Sequence, residues 1–381
     1  MMQSSPARLA DASTTRRRRL WLNLHLTVAL TLGAVIALMG LSGAALALKG
    51  PLIRHDFGAA TFDPPASRQA EWASVDGWVA QARQRYPQMR RLVSVTAPGA
   101  SPLPTRAALL TITLADGGFG FVTVDPRSAQ PLGLFRYGDG WLFKILDLHR
   151  HLLLPGALED AGDRIVTWSG LLLLLSAGTG LYLWWPCADT WRRALRIQGG
   201  AQLWRSLHKT LGICVLVPSA LAAASGVLIA QPDWSAWLDD PGKPGPAAPL
   251  VSGSGCHPVA GYAAAARQAM QAIQADELIS ISATPDAQAF LVRVHGGGQR
   301  RGSETTLRVD AGCGTVTAQP AGKSGLVRQA QLLHAELMLG WPGRIIVMLT
   351  GLALPVLYAS GLWMWWRKRT INKNRRKASH A

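Results

Sequence analysis

Charge is scarce in this chain of 381 residues, and acid scarcer still: 16% of residues are charged, with 22 Asp and Glu against 39 Lys and Arg. With 49% apolar residues, so little charge excludes a disordered or acidic solvating chain and is unusual for a cytosolic enzyme of this length. Cysteine is sparse as well. The four present form no cluster and no Cys-x-x-Cys spacing. The chain also lacks a Walker loop, a Gly-x-Gly-x-x-Gly turn and a Gly-x-Ser-x-Gly elbow, so it has no nicotinamide or flavin site of its own.

What is present is basic charge in three places. Residues 1–19, 186–209 and 367–381 hold 17 cations against only Asp11 and Asp189, and the rest of the chain is close to neutral. Each patch adjoins a long apolar run, which is the pattern of a membrane protein and not of a nucleic-acid binder. A bilayer core of about 30 Å takes roughly 20 apolar residues. Four runs qualify: Leu20 to Leu48, Ile165 to Trp185, Leu211 to Ala230 and Ile345 to Trp366. The first is too long for the apolar region of a signal peptide. Four spans put both termini and all three basic patches on one side, which the positive-inside rule makes the cytoplasm, with Trp184, Trp185, Trp363, Trp365 and Trp366 as an interfacial belt. Between the spans lie two long segments on the far side. Each has a helical stretch (Trp78 to Tyr86; Tyr262 to Ile273) followed by alternating strands, as in Leu109 to Leu114 and Gly120 to Val124, or Leu278 to Ala283 and Ala289 to Val294.

The chain repeats itself. Leu24-His25-x-Thr27 followed by Ser42-Gly43 matches Leu207-His208-x-Thr210 followed by Ser225-Gly226 at a constant offset, and Gly180-Leu-Tyr-Leu-Trp-Trp matches Gly361-Leu-Trp-Met-Trp-Trp. Each half reads as span, outer segment, span. The expected architecture is therefore an integral α-helical membrane protein of four spans made by internal duplication, with two α+β domains outside. Its parts are a basic tail (1–19), a span (20–48), an outer domain (49–148), an interfacial segment and span (149–185), and a cytoplasmic loop (186–206). The second half then supplies a span (207–230), an outer domain (231–333), an interfacial segment and span (334–366), and a basic tail (367–381).

Histidines follow the repeat. His25 and His208 approach the cytoplasmic face; His149, His151 and His334 approach the other. Intramembrane ionisable residues are costly and mark function. One imidazole from each of two facing helices suffices for haem iron, whereas zinc needs three or four ligands, and no Cys, Asp or Glu accompanies these histidines at suitable spacing. Two sites follow, His25 with His208 and His334 with either His149 or His151. Gly33, Gly40, Gly43, Gly212 and Gly226 are candidates for letting the ring approach. Arg150, Arg205 and Arg328 offer guanidinium partners for propionates. Met338 is a packing residue by preference over a ligand, and His55, His257, His295 and His380 read as surface residues. Cys187 and Cys214 read as thiols. Cys256 and Cys313 share the second outer segment, where an oxidising compartment permits a disulfide.

The Leu24-His25, Leu207-His208 and Leu148-His149-Arg150 segments, with the Gly-Leu-x-x-Trp-Trp ends, resemble the PepSY-associated transmembrane helix family, over nearly the whole chain after residue 20. The resemblance implies that the outer domains are periplasmic PepSY modules, and it runs to the bacterial inner-membrane ferric-siderophore reductases of the ferrioxamine type. It further implies two haem b groups, the inner on His25 and His208 and the outer on His149 and His334. The extra His151 and Pro155-Gly156 depart from the simpler pattern and leave the fourth ligand open. The implied partners are a ferric siderophore as acceptor, membrane lipid, and a cytoplasmic or quinol donor, with no nucleic acid. The rivals are a metal or siderophore permease and a membrane-anchored PepSY binding module.

Overall fold

A computed structural model describes residues 6–64, 71–101, 103–185, 195–231, 233–234, 249–251, 257–296, 304–319 and 324–378. Among these residues the α-helices are, in chain order, α1 (Pro6–Thr31), α2 (Gly33–Leu46), α3 (Lys49–Phe57), α4 (Val75–Arg85), α5 (Gly140–His151), α6 (Glu159–Trp184), α7 (Leu203–Cys214), α8 (Leu216–Ala230), α9 (Gly261–Ile273), α10 (Ser324–Glu336) and α11 (Trp341–Ala378). The strands are β1 (Met89–Thr96), β2 (Ala108–Leu114), β3 (Phe119–Val124), β4 (Pro131–Arg136), β5 (Pro249–Val251), β6 (Ala275–Ala283), β7 (Ala289–Gly296), β8 (Glu304–Asp310) and β9 (Val316–Ala318). They form two compact units. One is helical, from Met1–Ala47, Ile145–Leu238 and Leu326–Ala381; the other, from Leu48–Lys144 and Asp239–Gly325, carries the sheet.

In the helical unit, Gly156–Trp184 and Trp341–Asn374 are each long and apolar enough to cross a membrane. The other two expected spans are bent pairs. α1 meets α2 at 63° and α7 meets α8 at 58°, so the described residues hold two to four elements able to cross a membrane by length and composition. The breaks fall at Leu32 and Val215, which the repeat makes equivalent. The two halves also turn alike after α5 and α10. Leu152 and Leu153 have φ of 59° and 57°, and Leu337 and Met338 have φ of 50° and 59°, so consecutive left-handed residues end both helices. Gly33 and Gly40 lie at close contacts between helices. A Cβ on Gly33 would lie 2.7 Å from the Tyr358 ring, and one on Gly40 2.9 Å from Leu354.

The sheet unit departs from the two separate α+β domains expected. Its strands make one antiparallel sheet in the order β4-β3-β2-β1-β6-β7-β8-β9-β5. β1 and β6, the innermost strand of each copy, pair through Val95 with Ile281 and Thr96 with Ser280. An exposed edge strand presents unpaired N–H and C=O groups, and joining the two copies edge to edge removes one such edge from each. The copies also share a core. Trp78, Val79 and Ala82 of α4 and Ala265, Ala266 and Ala269 of α9 are buried with Leu110, Ile112, Val292 and Leu307 of the strands. Asp76 of α4 accepts hydrogen bonds from the backbone N–H groups of Tyr262 and Ala263, at 2.9 and 3.1 Å, so a carboxylate of the first copy caps the helix of the second.

Cys313 is disulfide-bonded; Cys256, its expected partner, lies outside the described residues, as do Cys187 and His380. Cys214 is a free, exposed thiol. His55 and His257 are exposed, whereas His295 is half-buried on β7, opposite Glu277 and Glu304, and its Nδ1 is buried without a hydrogen bond.

Candidate functional site

Four histidines meet in the helical unit as two pairs. His25 of α1 and His208 of α7 have ring centroids 6.4 Å apart with planes at 90°. His149 of α5 and His334 of α10 have centroids 6.0 Å apart at 55°. Each pair takes one imidazole from each half of the repeat. Of the two residues that the sequence left open, His149 is the one beside His334. His151 lies two positions on, buried among Asp147, Glu159 and Asp163.

Every one of the four rings rests on a helix of its own half, and the contact has one plan. His25 Nδ1 lies 2.9 Å from Thr179 Oγ1, and the Thr179 hydroxyl already donates to the Ser176 carbonyl at 3.0 Å. His149 Nδ1 lies 2.9 Å from Ser42 Oγ, whose own proton goes to the Leu38 carbonyl at 2.8 Å. A hydroxyl with its proton so committed accepts, so Nδ1–H is the donor in both. His208 Nδ1 donates to the Leu357 carbonyl at 3.0 Å and lies 2.9 Å from Ser360 Oγ; His334 Nδ1 donates to the Ala222 carbonyl at 2.8 Å. A carbonyl accepts only, which fixes the same tautomer. In all four the proton sits on Nδ1 and the lone pair on Nε2, and among the described residues no hydrogen bond reaches any of these Nε2 atoms.

A glycine next to the acceptor lets each ring in. A Cβ on Gly43 would lie 3.1 Å from His149 Cε1, on Gly180 3.4 Å from His25 Cε1, on Gly226 2.9 Å from His334 Cε1, and on Gly361 3.3 Å from His208 Cε1. Each glycine follows a hydroxyl residue: Ser42-Gly43, Thr179-Gly180, Ser225-Gly226, Ser360-Gly361. Ser225 is the exception: like the other hydroxyls it donates to carbonyls of its own helix, but His334 Nδ1 bonds the Ala222 carbonyl and not this hydroxyl. Thr179 and Ser360 escaped the sequence reading although each precedes a glycine of the repeated Gly-Leu-x-x-Trp-Trp ends. Gly212 has only Leu357 near it, at 3.8 Å.

Neither pair has a carboxylate or thiol beside it that would complete a group of three metal ligands among the described residues. Outside the candidate spans, burial lowers the pKa of His149 to about 4, with His334 nearby adding to the effect, and burial lowers that of His334 too. Both imidazoles are therefore neutral at neutral pH, the state in which a ring nitrogen ligates metal. Arg150, Arg205 and Arg328 are all exposed, one on each of the histidine-bearing helices α5, α7 and α10. Met338 is 56% exposed in its left-handed turn.

The model of the PepSY-associated transmembrane region matches residues 22–368, a stretch that takes in both histidine pairs and the whole sheet unit. The chain belongs to that family. It is thus a membrane-associated PepSY protein, and the internal duplication, the apolar helices and the sheet lie within a single family match. No curated protein matches the chain.

Proposed function

We propose that this PepSY family member is a bacterial inner-membrane oxidoreductase that holds two haem b groups and reduces siderophore-bound Fe(III) to Fe(II) on the periplasmic side. The supporting observation is the pair of imidazole pairs, each ring with Nδ1 committed and Nε2 left with its lone pair. The spacing fits a single iron. An imidazole nitrogen lies roughly 1.1 Å from its ring centroid and metal–nitrogen bonds are about 2.0 Å, so two rings on opposite sides of one metal stand about 6 Å apart. The observed separations are 6.4 and 6.0 Å. Zinc would ask for a third and fourth ligand.

Bound haem iron supplies reversible one-electron chemistry. The chain's own residues would hold and tune it: His25 with His208, and His149 with His334, would ligate the iron of each group. The Nδ1–H bonds to Thr179, Ser42, Leu357 and Ala222 fix ring rotation and raise Nε2 basicity. The glycines keep the wall flat where each ring lies, and Arg150, Arg205 and Arg328 provide guanidinium groups for propionates. His25 lies before the bend of its span and Ser42 beyond it, separated by roughly 25 Å of helix, so the two pairs sit at different depths. With the basic patches and both termini cytoplasmic, the His25–His208 pair faces a cytoplasmic or quinol donor and the His149–His334 pair faces the acceptor. Hard siderophore oxygens hold Fe(II) less tightly than Fe(III), so one electron releases the metal.

The test is optical. Full-length protein from haem-replete cells is expected to show a Soret band that moves on dithionite reduction, with two haems per chain. His25→Ala and His208→Ala should each lose the same haem, and His149→Ala and His334→Ala the other. Dithionite-reduced protein should then be reoxidised by ferric siderophores. A colourless preparation, or single variants that lose both haems or neither, overturns the reading in favour of a permease or a binding module.

A further inference from the structure

His151 is not in either pair, and its three carboxylate neighbours have no counterpart among the described residues at the equivalent corner of the other half. It ends α5 and is only 6% exposed. Its Nδ1 lies 2.9 Å from Asp147 Oδ1, one turn back on α5, and 3.3 Å from Glu159 Oε1 at the start of α6; its Nε2 lies 3.4 Å from Asp163 Oδ1, one turn further along α6. The ligand atoms of Asp147, His151 and Glu159 all lie within 4.8 Å of one another. Gly162 makes the approach possible, since any Cβ there would collide with the His151 carbonyl.

The repeat provides an internal comparison. The equivalent glycine, Gly343, sits against the carbonyl of Glu336 in the same way, so Glu336 occupies the place of His151 and Arg344 that of Asp163. There Arg344 Nε meets Glu336 Oε2 at 2.7 Å, one carboxylate balanced by one guanidinium. The counterparts of Asp147 and Glu159 are the uncharged Leu332 and Gly340. The second half thus fills this corner with its own cation. The first half has replaced that cation by a carboxylate and added two more, while the nearby Arg164 turns its Nε to the Asp160 carbonyl at 3.2 Å. Three carboxylates around one imidazole leave an excess of negative charge that a second positive guest would offset.

We propose that Asp147, His151 and Glu159 bind a divalent first-row cation in this corner, with Asp163 as the positioning residue. Two ligands at about 2.1 Å from one ion stand about 3.0 to 3.4 Å apart for right-angled to tetrahedral geometry. The Nδ1–Glu159 separation of 3.3 Å falls in that range and the Nδ1–Asp147 separation of 2.9 Å just below its lower end. Asp147 Oδ1 accepts from Nδ1–H at 2.9 Å, a proton that metal binding would displace; Asp163 Oδ1, 3.4 Å from Nε2, is placed to take the N–H of the other tautomer and leave the Nδ1 lone pair for the metal, as a carboxylate behind a ligating imidazole usually does. One nitrogen and two carboxylates suit borderline ions such as Zn²⁺, Mn²⁺ or Fe²⁺. The site stands on its own residues and not on the haem reading.

The experiment uses tag-free full-length protein, stripped with chelator, and measures Zn²⁺ binding by calorimetry and Mn²⁺ binding by its EPR signal, with haem content read in the same samples. One equivalent should bind. Asp147→Asn and Glu159→Gln should each weaken binding at least tenfold, Asp163→Asn about 10- to 100-fold, and Glu336→Gln not at all. His151→Gln should abolish binding and retain the wild-type haem content. Absence of a stoichiometric site, or binding indifferent to Asp147→Asn and Glu159→Gln, overturns the proposal and leaves His151 as an imidazolium held by carboxylates. Loss of haem in His151→Gln would overturn it equally, by making His151 a ligand of the pair.

Discussion

At the scale of single residues, the decisive bond is the one from each imidazole Nδ1 to the neighbouring helix. Thr179 accepts from His25, and Ser360 stands beside His208, which also has the Leu357 carbonyl. The two positions therefore differ in what a substitution leaves behind. Thr179→Val removes the nearest acceptor of His25, with Ser176 Oγ at 3.3 Å the next. A buried N–H without a partner costs about 1–3 kcal/mol, roughly 5- to 150-fold in cofactor retention. Ser360→Ala leaves the carbonyl in place and should change retention by less than fivefold. Haem titration of the two variants, with the midpoint potential of the His25–His208 site as a second readout, checks the contrast; equal losses would contradict the acceptor assignment. Gly226→Leu tests the other half of the contact. Even a Cβ would lie 2.9 Å from His334, so the larger side chain should displace that ring and take the His149–His334 haem alone. The histidines were legible in the sequence because they repeat. Their acceptors were not, because a hydroxyl in an apolar helix ordinarily bonds back to its own turn, and only the fold brings it to an imidazole.

At the scale of elements, apolar patterning located the helices α4 and α9 and strands β2, β3, β6 and β7, through alternating positions such as Leu110, Ile112 and Leu114 of β2. β1 was hidden by Arg90 and Arg91 near its start, where the strand is exposed. The bends in α1–α2 and α7–α8 were not anticipated: no proline or charge marks Leu32, and although Pro218, three residues after Val215, removes the N–H that would bond the Cys214 carbonyl, composition stays apolar through each break. The link between α4 and α9 also lies beyond local pattern. Asp76 is four residues ahead of Ala80 in a helix of its own, yet it caps a helix 186 residues on. Asp76→Ala should leave two N–H groups at the start of α9 without their acceptor and destabilise the sheet unit by about 1–2 kcal/mol. Denaturant unfolding of the intact chain, followed at the tryptophans, would register the loss; Asp76→Asn, which keeps one acceptor oxygen, should recover part of it. An unchanged midpoint for Asp76→Ala would mean that solvent replaces the cap.

At the scale of the molecule, duplication has been used in two ways. In the sheet unit, the copies join edge to edge through β1 and β6 and share one core. In the helical unit, each half seats its own two imidazoles on its own helices, and each pair forms across the halves. Periodicity shows that a segment repeats, but whether the copies stay apart or pair is a matter of non-local contacts, which is why two domains were expected where one sheet exists. The arrangement has a consequence for assembly. Neither half contains a complete histidine pair, and neither contains both sides of the β1–β6 seam. A chain ending between residues 186 and 194 would therefore hold His25 and His149 without partners, and the remaining half His208 and His334 without theirs. Expressed alone, each half should bind haem at no more than a few percent of the stoichiometry of the intact protein; expressed together in one membrane, the halves should recover both sites, because every ring already has its Nδ1 anchor within its own half. Pigment content and co-purification through a tag on one half give the result. If a single half bound a full equivalent of haem, its two histidines would have to serve one iron within one copy, and the pairing across the repeat would be wrong.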